Sequence, residues 1–150
     1  MRKVSTVGLG AVVALVIAAG AFSATKDSYS FKATLTGPQE VPKSTAPAGA
    51  GGTFTAKSVE AGKKVTFTWK LTFHGLSGKA IAAHVHLGKR GVAGGVAVAL
   101  CGPCTSGQTG KAIIASSVET ALETGKAYVN IHTPKNRGGE IRGQIKLVAG

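Results

Sequence analysis

The stretch AAHVHLG, residues 82–88, sets His84 and His86 two positions apart among small and branched apolar residues. Such a run reads as extended chain, and residues i and i+2 of a strand share a face with their side-chain bases about 6–7 Å apart. Neutral imidazole is a good ligand for copper, zinc, nickel and iron, so a third nitrogen from another strand would complete a credible set. KAYVNIHT, residues 126–133, offers it. There Val129 and Ile131 take one face and Tyr128, Asn130 and His132 the other, so all three histidines turn away from the core. The expectation is a surface metal site for copper or zinc made by His84, His86 and His132. The competing reading is a metal-free pair of solvated histidines, with His132 bracing a loop through a backbone carbonyl.

The neighbours of these rings have weaker claims. GGEIRGQIKLV, residues 138–148, alternates so that Ile141, Gly143, Ile145 and Leu147 face inward and Glu140, Arg142, Gln144 and Lys146 face out. Glu140 is then expected to orient a histidine from behind, to ligate directly, or to pair with Arg142 on the surface. Tyr128 is expected either to form a lip over the site or, as the commoner case, to pack as an edge aromatic, and Asn130 and Thr133 would complete hydrogen bonds at a strand end. His74 ends a strand and is left out of the set. Cys101 and Cys104 in LCGPCTSG have the spacing of thiol–disulfide enzymes. Those enzymes start a helix at the first cysteine, whereas the glycine-rich surroundings here favour a structural disulfide clamping a loop.

No paired acids, nucleophile elbow, phosphate loop or metalloprotease helix is present, so a catalytic role is not expected. The formal net charge is +12. Basic side chains are spread singly, without the interleaved aromatics of a single-strand groove, and nucleic acid is not an expected partner. Anionic envelope or matrix polymers, or another surface protein, are.

Arg2 and Lys3 precede an uncharged run of 22 residues, Val4 to Thr25, with small residues at its end. This is the order of a signal peptide over 1–24, cut near 21–24, which exports residues 25–150 to the periplasm or outside the cell. An uncleaved N-terminal anchor is the minor alternative, and no later segment is long and apolar enough to span a bilayer. Without Arg2 and Lys3 the chain carries 16 basic against 6 acidic side chains, about +10.

What must position the site is a sheet. YSFKATL (29–35) and KVTFTWKLTFH (64–74) alternate with period two, the second placing Val65, Phe67, Trp69, Leu71 and Phe73 on one side. Ile81, Ala83, Val85 and Leu87, then Val96, Val98 and Leu100, continue the inward set. TGPQEVPKSTAPAGAGG (36–52) interrupts it with three prolines and four glycines and is expected to be a long exposed connection. EAGKK (60–64) reads as a hairpin turn at Gly62. One short helix is expected from Ser116, as a capping box with Glu119, to a stop at Gly125. Seven or eight short strands joined by glycine turns describe an all-β, Greek-key antiparallel β-sandwich or small barrel.

In order, TGPQEVP, HVHLG, YVNIHT and GGEIRGQI make the chain resemble the CHRD domain family, named for chordin, over roughly Tyr29 to Leu147. The resemblance implies an extracellular all-β domain and no particular activity; the role such domains have beside growth-factor-binding modules in chordin does not transfer to a solitary domain. HVH is also similar to a copper-binding strand of copper,zinc superoxide dismutases, and the expected architecture is similar too. That likeness implies copper ligands at His84, His86 and His132. It does not extend to dismutase chemistry, because no bridging histidine or zinc cluster is present and Asp27 is the only aspartate.

Overall fold

A computed structural model describes residues 27–149; the expected signal segment lies outside them. Among the described residues nine strands run antiparallel. They are β1 (Ser28–Thr36), β2 (Gly51–Ala61), β3 (Lys64–His74), β4 (Ala82–Leu87), β5 (Val96–Cys101), β6 (Gln108–Ile114), β7 (Ala127–His132), β8 (Ile141–Gln144) and β9 (Lys146–Ala149), with one helix, α1 (Ser116–Glu123), before β7. The hydrogen-bonded order is β5-β4-β7-β8-β1-β2-β3-β6, and β9 also pairs with β1. The end strands β5 and β6 come close without joining, so the sheet rolls into a nearly closed barrel or sandwich.

Period-two alternation explains the core. Phe31 and Leu35 of β1, Phe54 of β2, Phe67 and Leu71 of β3, Val85 of β4, Val129 and Ile131 of β7 and Ile141 of β8 all meet in it. Burying each such side chain stabilises the fold by about 1.5–3 kcal/mol relative to exposure. The turn at Gly62 has φ +62°, a left-handed conformation in which glycine is free of Cβ strain. Strand ends depart from the expectation: Ile81, Leu87, Val96 and Leu147 are exposed, and for Val96 a register shift between Val85 and His86 sets it opposite the outward-facing His86.

Two further expectations are corrected. The 36–52 connection is not simply exposed. It begins with a 3-10 turn at Gly37–Gln39, buries Glu40, and ties itself to the far end of the chain. Ser44 Oγ donates to the Glu140 carbonyl at 2.7 Å, and the Thr45 amide donates to Asn136 Oδ1 at 2.9 Å. The capping box does not form either. Ala115 is the N-cap and no side chain caps the helix. Glu119 instead turns inward, 1 % exposed, and neither of its carboxylate oxygens has a hydrogen-bond partner. The stop at Gly125 is as expected, with φ +66°.

Cys101 and Cys104 form a disulfide with Cα atoms 5.2 Å apart. It closes a tight loop where the chain leaves β5 for β6, and the Cys104 amide donates to the Ala80 carbonyl at 3.0 Å.

Burial, followed by the neighbouring Glu60 and opposed by Ser58, pushes the Glu119 carboxyl up to about 7. A raised folded pKa means full stability below the ordinary value of 4.5, declining as the pH rises through about 7. We predict that wild type loses at least about 2 kcal/mol between pH 4.5 and pH 8 and that Glu119→Gln removes part of that loss, the remainder belonging to Glu40, whose carboxyl is also pushed up to about 7 by burial. Denaturant unfolding of both proteins at the two pH values checks it; parallel pH profiles would exclude Glu119 as a cause.

Candidate metal centre

Strands β4 and β7 pair with Ala82 opposite His132, His84 opposite Asn130 and His86 opposite Tyr128. Ala83, Val85, Val129 and Ile131 point into the core and are fully buried, so the three histidines share the opposite face. His132 sits diagonally from His84, and the small Ala82 opposite it leaves room for the ring to lean across. The His84–His132 ring centroids are 4.8 Å apart, with His86 at 5.5 Å from His84 and 6.1 Å from His132. One nitrogen from each ring lies within 4.8 Å of the others. His74 stands apart at the exposed end of β3.

The face is less open than its alternation implies. The turns at 88–95 and 133–140 fold over it, leaving His86 and His132 each 8 % exposed and His84 half-buried. His84 is therefore the ring nearest solvent.

Backbone carbonyls decide which nitrogens are free. His132 Nδ1 is 2.9 Å from the Arg137 carbonyl and His86 Nδ1 is 2.9 Å from the Gly94 carbonyl. A carbonyl only accepts, so each Nδ1 carries the proton and each Nε2 presents a lone pair inward. His84 Nδ1 lies 3.0 Å from His132 Nε2 and must donate to it. His86 Nε2 is buried with no partner. An unpartnered buried polar atom costs about 1–3 kcal/mol, and a cation would remove that cost. If His84 moves its proton to Nε2, His84 Nδ1 and His132 Nε2, 3.0 Å apart, both offer lone pairs, and the unpartnered Nε2 of His86 is the free nitrogen of the third ring. Burial, then the neighbouring imidazoles, lowers the pKa of His84; burial also lowers that of His132, beyond what the Arg137 carbonyl restores. Both shifts favour the neutral ring, the form that ligates a metal.

The supports are built from residues expected on the outside. Tyr128 stacks on His86 with 5.0 Å between ring centroids and 6° between planes, and Arg142 lies over the other part of the stack, 3.4 Å from the Tyr128 centroid. Tyr128 is thus packed behind the site and forms no lip over it. Its hydroxyl accepts from the Gly94 amide at 3.1 Å, fixing the turn that holds His86. Only glycine fits at 94, since a Cβ there would collide with the Leu87 carbonyl.

Glu140 and Arg142 are buried, not exposed, and do not pair with each other. Arg142 Nη2 donates to the Lys89 carbonyl at 3.1 Å and reaches Gln144 Oε1 at 3.4 Å. Glu140 bonds no histidine. It accepts from the Ser77 amide and hydroxyl, from Thr133 Oγ1 and from Asn136 Nδ2. Those bonds close the 133–140 turn, and that turn presents the Arg137 carbonyl to His132. Asn130 donates to the Gly138 carbonyl at 3.5 Å. The connection over 36–52 adds Glu40, which no sequence pattern marked; a lone glutamate beside two prolines reads as solvated loop.

A model of the CHRD domain matches residues 31–145. No characterised protein and no solved structure gives a significant match.

Burial works to raise the Glu140 carboxyl, but the bonds from Ser77, Thr133 and Asn136 outweigh it and hold the pKa below the usual carboxylate value. A lowered folded pKa means that its contribution is present above about 4.5 and is lost as the pH falls further. Glu140→Gln should cost about 2–3 kcal/mol at pH 7 and much less at pH 3. Denaturant unfolding at both values is the check, and equal stability of variant and wild type at pH 7 would rule out the carboxylate as the clamp of this turn.

Proposed function

This chain belongs to the CHRD-domain family, and on that premise we propose that it is an exported, non-catalytic domain that binds one copper or zinc ion through His84, His86 and His132. The observation that carries the reading is the convergence of three imidazole nitrogens, two of them oriented by carbonyls that hold the proton on the far side of the ring. Second acceptors of this kind set ring orientation and raise ligand basicity. An all-nitrogen set favours copper over zinc by the general order of divalent affinities. The ion itself would supply positive charge and an open coordination position; the protein holds it and screens it with the 88–95 and 133–140 turns.

Binding rather than catalysis is supported by the fate of Glu140. The one carboxylate placed near the histidines by sequence is committed to four hydrogen bonds and is no proton shuttle. A likeness to the architecture of copper,zinc superoxide dismutase is supported by the β3-β6 and β4-β5 pairings, in which the chain crosses after β3, makes a hairpin and returns beside β3. A second metal set is not part of the proposal, because His74 is the only other histidine. Export is supported by the Val4–Thr25 run behind Arg2 and Lys3 and by a disulfide, which persists in oxidising compartments.

Titration of residues 25–150 with copper(II) and zinc(II) should show one equivalent bound. Changing His84, His86 and His132 together to alanine should weaken binding at least 100-fold, while His74→Ala leaves it unchanged. Equal affinity in the triple variant would refute the assignment.

A further inference from the structure

A second recess lies on the same outer face as the three histidines, across β8 and beyond the Tyr128–Arg142 stack. It measures about 530 Å³ and lies between β1, the 3-10 turn, β8, the start of β9 and the β4–β5 turn. That volume is in the range of small-molecule sites. Its charged lining is Lys32, Arg90, Arg142 and Lys146, and no carboxylate lines it.

Two features show that this is more than a basic surface. Arg142 is 1 % exposed, held by the Tyr128 ring and by the Lys89 carbonyl, and its Nη1 has no hydrogen-bond partner. A buried guanidinium nitrogen without an acceptor is costly, and an oxyanion is the acceptor it binds best. Lys32 and Lys146 stand directly opposite each other on β1 and β9. Like charges in that relation destabilise a sheet, and an anion between them reverses the sign of the interaction.

We propose that this recess is an anion-binding site, with Arg142 as its floor and Lys32, Arg90 and Lys146 as its rim, for a carboxylate or phosphate carried on a small polar body. The size of the recess exceeds what a bare oxyanion fills, and Thr34, Thr36 and Pro38 offer a mixed wall for the rest of the ligand. An acidic sugar unit of a polymer and a free phosphate compound both present this chemistry. The site is distinct from the metal centre although both lie on the outer face of the sheet: Lys32, Arg90 and Lys146 are exposed and outside the histidine cluster, with the Tyr128–Arg142 stack between the two.

Calorimetric titration of metal-free protein at low ionic strength with inorganic phosphate, glucuronate and glucose tests it. Phosphate, glucuronate or both should bind and glucose should not; which of the two binds tighter identifies the source. Changing Lys32, Arg90 and Lys146 together to glutamine should weaken binding at least tenfold. A control with Lys57, Lys70 and Lys111 changed to glutamine, equally exposed but outside the recess, should bind as wild type does. Arg142→Lys should weaken binding even where its fold, read by circular dichroism, is intact. No binding of either anion, or equal losses in the rim and control variants, would overturn the proposal.

Discussion

The antiparallel pairing of β4 with β7 in one register is the constraint on which the site depends. With Val85 opposite Val129 and Ala83 opposite Ile131, the core side of both strands is filled by apolar groups, and the imidazoles have one place to go. A slip of one residue would drive His84 and His86 into the core and Val85 out of it, so burial of the valines and isoleucine enforces the meeting of the histidines. Metal affinity and fold stability thus draw on the same pairing.

From that pairing outward, the structure converts backbone into ligand orientation. The Gly94 and Arg137 carbonyls belong to turns, not strands, and each turn is held by one side chain: Tyr128 of β7 for the first, and Glu140, which ends the second just before β8. Three glutamates show how strongly such surroundings act on one residue type. Glu140 is buried among donors and stays ionised. Glu119 is buried without them and rises to about 7. Glu40 reaches about 7 as well, because burial outweighs Arg142, the Val41 amide and Asn130.

Much of the sheet could be read from alternation. The core face of β3, the turn at Gly62 and the outward side of His84, His86 and His132 follow from local pattern, since period two reports which residues share a face. Local pattern is silent on what covers that face. Glu140 and Arg142 looked solvated because they alternate with Ile141 and Gly143, yet the 36–52 and 133–140 segments fold over them from opposite ends of the sequence. Glu119 misled in the same way: its spacing from Ser116 matches a cap, but the nearby strand β2 drew the side chain inward. Convergence of His132 with His84 required knowing which strands are neighbours, and that information is non-local.

The seam between β5 and β6 has a consequence for how copies of the molecule meet. An open edge of a sheet normally invites a strand from another chain. Here the two unpaired edges belong to the same molecule and approach each other where the Cys101–Cys104 loop joins them. That approach leaves less of either edge free for an incoming strand, and the surplus of positive charge adds long-range repulsion between copies.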